Sequence, residues 1–359
     1  MSAMQAIELA PGYVISRVVR GGWQLAGGHG PVDRERTLDD LAAAFDAGIT
    51  TFDCADIYTG VEALYGALRD RLFATRGAEA AARLRVHTKL VPDLDLLPRI
   101  TRRDIEAIVD TSRRRLRMET LDLVQFHWWD CAQPRWLEAL GWLDDLRREG
   151  KLRHIGATNF DTPHVAAIVE AGIPLRSMQV QYSALDRRPE HGLADLCTAS
   201  GIGLLCYGTV AGGFLSDRWL GQSEPSGALE NRSLTKYKLV LDDFGGWTLF
   251  QDLLAALRQV ANRHATDIAT IASRVVLDRP AVAGVVIGAR NGLHAAANAH
   301  LSQLRLTPAD HALMAAVTDR AVGPAGDVYS LERDRAGRHG SIMKYNLNTV
   351  AAREAPATA

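Results

Sequence analysis

Eight short apolar, β-rich runs alternate with amphipathic helical stretches along this chain, and that alternation restricts its fold more than any other feature. The runs are "RVVRGG", "ITTFDC", "VHTKL", "LDLVQFH", "KLRHIGAT", "SMQVQYS", "IGLLCYG" and "VAGVVIGA". A stretch of helical periodicity follows each. In "TLDDLAAAFDAG", for example, Leu41, Ala44 and Phe45 share one face, with Thr37 as the predicted N-cap and Gly48 as the stop. Eight strands, each with a helix after it, match an α/β fold of the (β/α)8 TIM-barrel type. Ahead of the first run, "AIEL" and "YVISR" predict a β-hairpin turning at Pro11-Gly12. An open doubly wound sheet is disfavoured because no G-x-G-x-x-G lies between a strand and a helix; Gly201-Ile202-Gly203 precedes its strand. Neither a P-loop nor an HExxH motif occurs.

The chain reads as one barrel domain over residues 1–359, with a core of about 15–320 and a C-terminal extension over 321–359. Residues 212–246 are expected to form a long loop after the seventh run, a length that is uncommon and often functional. The extension reads as an extended cap with a disordered end, "AAREAPATA".

Composition removes several classes of function. A net charge of -1 gives a nucleic-acid partner no electrostatic support. Arg113-Arg114-Arg115 falls in a helical pattern and reads as a solvated face. Cys54, Cys131, Cys197 and Cys206 show no CxxC spacing, which argues against a zinc site and for a reduced, cytoplasmic setting; Cys54 reads as a buried, inert thiol. No metal is implied. The N-terminus lacks the pattern of a secretory signal, and no apolar stretch approaches the ~18 residues of a membrane span. Asn231-Arg232-Ser233 matches a glycosylation sequon and reads as a chance match.

In a barrel of this type, chemistry sits at the C-terminal ends of the strands. Asp53 ends the second run, Lys89 lies near the end of the third and His127 ends the fourth, while Tyr58 follows Asp53 in "FDCADIYTG". A lysine and an aspartate inside a barrel are costly unless paired, so Lys89 is expected to pair with Asp53. A fixed ammonium near Tyr58 is expected to lower the tyrosine pKa and make the phenol a proton donor, with His127 hydrogen-bonding the oxygen that receives the proton. Asp56 has no chemical role in this scheme and reads as loop structure.

With these residues in place the chain resembles the aldo-keto reductase family. The resemblance is carried by "FDCADIYTGVEALYG", "VHTKL", "LDLVQFHWWD", "EGKLRHIGATNF", "VQYSALDR", "CYGTVAGGFLS" and "VVIGARNGLHAAANAH", in the family's order over about residues 15–320. It implies a catalytic tetrad of Asp53, Tyr58, Lys89 and His127, and an extended NADPH, with NADH less favoured, bound without a Rossmann domain. By the same resemblance Thr158, Asn159 and Gln181 contact the nicotinamide amide, and Tyr207 stacks on its ring. Gly22, Trp23, Asp53, Gly208 and Thr209 border the cofactor. The loop with Gly212 and Leu215 covers the pyrophosphate. Ile287, Gly288, Arg290, His294 and Asn298 serve the adenosine end, where His294 replaces the more usual Gln and Arg290 favours NADPH.

The implied reaction is reduction of a small carbonyl or sugar-like substrate to an alcohol. Trp23, Tyr58, His127 and Trp128 are the expected walls of the substrate pocket, and Trp129 reads equally well as rim packing. Arg333, Arg335 and Arg338 hint at an acidic or polyhydroxylated ligand. A homo-oligomer is compatible with the sequence. Two other classes stay open: a cofactor-binding regulatory subunit or slow redox sensor of the same fold, and a metal-dependent barrel isomerase or lyase.

Overall fold

In the computed structural model, which describes residues 4–26, 32–288 and 295–348, the eight runs are parallel strands closed into one barrel. The antiparallel hairpin β1 (Ala6–Ala10) and β2 (Tyr13–Ser16) comes first. The barrel strands are β3 (Val18–Gly21), β4 (Thr51–Asp53), β5 (Arg85–Leu90), β6 (Leu121–Phe126), β7 (Leu152–Thr158), β8 (Leu175–Gln181), β9 (Gly203–Tyr207) and β10 (Val282–Gly288), in sequence order with β10 paired back onto β3. Strands buried on both faces read as near-continuous apolar runs, which is why they stood out in the sequence.

The strands are joined by α1 (Arg34–Asp46), α2 (Val61–Arg83), α3 (Arg102–Leu116), α4 (Trp136–Arg148), α5 (Thr162–Glu170) and α6 (Leu193–Ala199). Three helices lie between β9 and β10: α7 (Arg232–Phe244), α8 (Gly246–Arg263) and α9 (Ile268–Leu277). After β10 come α10 (Ala295–Leu301), α11 (Pro308–Thr318) and the short α12 (Ser330–Arg333). Among the described residues, no helix is long and apolar enough to cross a membrane.

Several boundaries differ from expectation. The N-cap of α1 is Asp33, whose carboxylate accepts from the Arg36 amide; Thr37 lies inside the first turn and its hydroxyl donates to the Asp33 carbonyl. Helix α2 runs past Phe73 through an Ala-rich stretch, broken at Gly77 by a φ of 83° that glycine tolerates. Residues 212–246 are not a plain loop, because α7 occupies their second half. Leu234, Tyr237, Val240, Leu241 and Phe244 are buried along one face of it, and the Asn231 side chain accepts from the Leu234 amide as N-cap. The asparagine of the sequon therefore caps a helix.

The hairpin closes the bottom of the barrel. Leu9, Tyr13 and Ile15 pack with Leu123, Leu205 and Ala283. Tyr13 Oη lies 3.1 Å from His87 Nε2. The opposite mouth is bordered by the C-terminal extension. His339 reaches Asp243 of α7 at 2.7 Å, and farther along the Leu94 amide donates to the Tyr345 carbonyl at 3.0 Å. Asn348 then donates to the Val91 carbonyl at 2.6 Å. The extension thus crosses the mouth from α7 to the loop after β5.

Candidate active site

Asp53 is the last residue of β4, and Lys89 the next to last of β5. Both are buried, and Lys89 Nζ donates to Asp53 Oδ2 at 2.6 Å and to the Cys54 carbonyl at 2.9 Å. The other carboxylate oxygen, Oδ1, accepts from Gln125 Nε2 at 2.9 Å and Gln179 Nε2 at 2.6 Å. Three donors from three strands thus satisfy one buried carboxylate. Burial alone lowers the pKa of Lys89, but the adjoining Asp53 charge more than reverses this and holds the ammonium form.

Tyr58 reaches the mouth on the loop between β4 and α2. Its amide donates to the Ala55 carbonyl at 3.0 Å. Asp56 fastens the same loop to the end of β5: its carboxylate accepts from the Ile57 amide at 2.9 Å and the Val91 amide at 3.1 Å. The Tyr58 ring packs edge-on against Trp23, 5.1 Å between centroids, and Lys89 Nζ lies 5.0 Å from the Tyr58 ring centroid. The phenol pKa departs from expectation. Burial raises it, Lys89 opposes, and burial prevails, so Tyr58 is held protonated.

His127 follows β6 directly. Burial lowers its pKa to about 3, against an opposing hydrogen bond to the Thr158 carbonyl, so the ring is neutral. Nδ1 lies 3.2 Å from that carbonyl, which fixes Nδ1–H as the donor and leaves Nε2 a bare acceptor. Trp129 and Tyr329 pack edge-on against the ring at 4.3 and 5.8 Å.

The tetrad opens on a cavity of about 700 Å³, within the size range of small-molecule sites. Trp23, Thr158, Asn159, Tyr207, Gly208, Thr209, Gly212, Ile287 and Gly288 line it as well. Asn159 holds a φ of 63° and accepts from the Tyr207 hydroxyl at 2.9 Å, which leaves its amide nitrogen free to donate.

Other expected residues lie elsewhere. Trp128 is wholly buried and stacks on Phe126, so it is core rather than pocket wall; Trp129 takes the pocket position, because side chains after β6 continue to alternate faces. Gln179, not Gln181, lines the cavity. Gln181 is one step further along the same strand face, and its amide donates to Asp186 at 2.7 Å. Leu215 is buried among Phe214, Leu241 and Phe250. Gly22 stands behind the wall, where a Cβ would come within 2.8 Å of the Asp53 carbonyl and the Tyr65 hydroxyl. Asn298 is half-buried on α10 and not among the lining residues. Arg290 and His294 lie outside the described residues. Of the tail arginines, Arg335 and Arg338 meet Asp130 and Asp243, and Arg333 donates to the Trp128 carbonyl.

The family model for the aldo/keto reductase family matches residues 17–319. The chain belongs to the aldo/keto reductase family. A curated relative, the NADH-specific methylglyoxal reductase of Escherichia coli, is 26% identical over 314 residues, covering 84% of this chain and 94% of that protein. Flagellar radial spoke protein 5 of Chlamydomonas reinhardtii is 32% identical over 179 residues, 45% of this chain but only 34% of that protein. The chain therefore accounts for about a third of the spoke protein. Among solved structures, a glycerol dehydrogenase of Gluconobacter oxydans superposes with a TM-score of 0.72 at 22% identity, over 90% of this chain and 96% of that one. At that identity the likeness concerns the fold alone. As an aldo/keto reductase, the chain falls in a family of oxidoreductases that reduce carbonyls with nicotinamide cofactors.

Proposed function

We propose that this aldo/keto reductase converts an aldehyde or ketone to an alcohol with NADPH, and that Tyr58 gives the proton. The observation that carries the reading is the buried Lys89–Asp53 pair, 2.6 Å apart, set beside a protonated Tyr58 at the cavity wall. The lining suits a nicotinamide dinucleotide. Tyr207 offers a ring face, Thr158, Asn159 and Gln179 cluster as polar groups beside it, and Gly212 and Gly213 leave backbone accessible near the N-terminus of α7. When bound, the nicotinamide supplies the hydride.

The chain's own residues do the rest. The Tyr58 phenol transfers its proton to the carbonyl oxygen as that oxygen gains charge, and the Lys89 ammonium stabilises the phenolate left behind. Asp53 fixes Lys89, and Gln125 and Gln179 fix Asp53. A neutral His127 with a bare Nε2 accepts a hydrogen bond from the product hydroxyl rather than donating to the carbonyl. Arg290, by its sequence position, supports NADPH; the relative named as NADH-specific makes this choice the first thing to measure. The experiment is cofactor oxidation with a panel of aldehydes and ketones, comparing kcat/KM for NADPH and NADH. Carbonyl-dependent turnover favouring NADPH supports the reading; a preference for NADH reverses the cofactor choice, and no turnover with either rejects the activity.

A further inference from the structure

The cavity carries four cationic side chains among its described lining residues, Lys89, Arg232, Lys236 and Lys344, against one carboxylate, Asp53, which Lys89 already occupies. Lys236 differs from Arg232 and Lys344. Arg232 and Lys344 are exposed, whereas the Lys236 side chain is only 18% exposed. It projects from α7 among three aromatic rings, 5.3 Å from the Tyr207 centroid, 5.5 Å from Tyr237 and 6.0 Å from Tyr329. Tyr329 in turn packs against His127. Lys236 therefore sits at the catalytic end of the cavity.

Its nearest carboxylate is committed elsewhere. Glu332, on α12, is buried and accepts from Arg188 through both oxygens, at 3.0 and 3.2 Å, while Arg188 also holds Asp186 at 2.9 and 2.7 Å. Lys236 Nζ approaches Glu332 Oε1 no closer than 3.8 Å, and no described group accepts a hydrogen bond from it. The charges of Arg188, Lys236, Asp186 and Glu332 balance, yet among the described residues the three ammonium donors find no hydrogen-bond acceptor in a largely buried setting. Burial lowers the pKa of the group, the response of an ammonium whose surroundings give less than full compensation.

We infer that Lys236 is a binding site for the anionic group, carboxylate or phosphate, of a carbonyl substrate. The inference rests on the proposed reduction: the carbonyl sits at Tyr58, and the anionic end of the same molecule supplies the acceptor that Lys236 lacks. Neutral carbonyls of equal length leave the ammonium unmatched, and a site built to hydrogen-bond discriminates against a ligand lacking the partner.

The experiment compares kcat/KM for matched pairs, 5-oxopentanoate against pentanal and glyceraldehyde 3-phosphate against glyceraldehyde, in wild type, Lys236→Met and Lys236→Arg. The expected result is a preference for the anionic member of at least one pair, by about 10- to 100-fold. Lys236→Met collapses that ratio toward one, and Lys236→Arg retains most of it. A wild-type ratio near one in both pairs, or a ratio unchanged in Lys236→Met, overturns the inference. So does weaker NADPH binding in Lys236→Met with the ratio preserved, which assigns the cation to the cofactor. If the wild type reduces none of the four, the wider panel of aldehydes and ketones decides the catalytic reading. Calorimetric titration with glutarate then decides the anion site by itself: binding lost in Lys236→Met supports it, and no binding to the wild type overturns it. Thermal melts of each variant confirm that the fold is intact.

Discussion

Replacing Lys89 by Met removes the ammonium while keeping a similar stem, and the structure sets the cost. Asp53 Oδ2 loses its 2.6 Å partner, while Oδ1 keeps both glutamine donors. Breaking a buried ion pair at one end costs about 3–5 kcal/mol, and the two retained amides place this case toward the lower figure. The double variant Asp53→Asn/Lys89→Met isolates the cause. Both glutamines bond the same oxygen, so an asparagine carbonyl can keep both contacts while its amide nitrogen takes the place of Oδ2. No charge then remains to bury, and stability is expected to return to within about 1–2 kcal/mol of wild type. Activity does not return, because neither variant has a cation to stabilise a Tyr58 phenolate. The assay is urea unfolding of the wild type, the single and the double variant, with carbonyl-dependent cofactor oxidation measured on each. Lys89→Met within 1 kcal/mol of wild type, or a double variant no more stable than the single, would refute the reasoning.

Two further outcomes follow from burial around the mouth. His127 titrates near pH 3 in the folded chain, against an ordinary value of about 6.5 when unfolded. A depressed folded pKa gives a contribution present above the unfolded value and lost as pH falls toward the folded one. Between pH 7 and pH 5 this histidine should cost about 2 kcal/mol of unfolding free energy, and His127→Gln should reduce that pH dependence in urea melts. Trp128→Ala should destabilise the fold by about 3–5 kcal/mol as a core truncation, whereas Trp129→Ala, at the cavity wall, should chiefly raise the carbonyl KM; the reverse pattern would contradict the assignment of faces.

The barrel was legible because parallel strands buried on both faces leave continuous apolar runs that end at turns, and eight of them leave few architectures. Asp53, Lys89 and His127 were legible for the same reason, since each stands at the end of such a run. Side-chain facing was harder. Trp128 was expected in the pocket by adjacency to His127, although alternation from Leu123 through Gln125 and His127 assigns the pocket to Trp129. On β8, Gln181 was expected from its place at the strand end, whereas Gln179 is the residue that reaches Asp53. Helix α7 carried a visible pattern, an Asn cap before apolar residues at helical spacing, that was obscured by the glycine-rich stretch before it. What no local pattern contained is the junction of Arg188, Lys236, Tyr329 and Glu332. These residues come from three separate segments, and the bond between Arg188 and Glu332 spans 144 positions. Burial was also decisive for Tyr58. The sequence shows a neighbouring lysine, but only the packed structure shows that desolvation outweighs it.

The most direct measurement for the central claim is the single-turnover rate of carbonyl reduction by Tyr58→Phe with bound NADPH, together with its NADPH affinity. Loss of the general acid predicts a rate lower by about 10²–10⁴-fold, with NADPH affinity close to wild type. A rate equal to wild type at equal affinity would show that the proton comes from another group and would contradict the account.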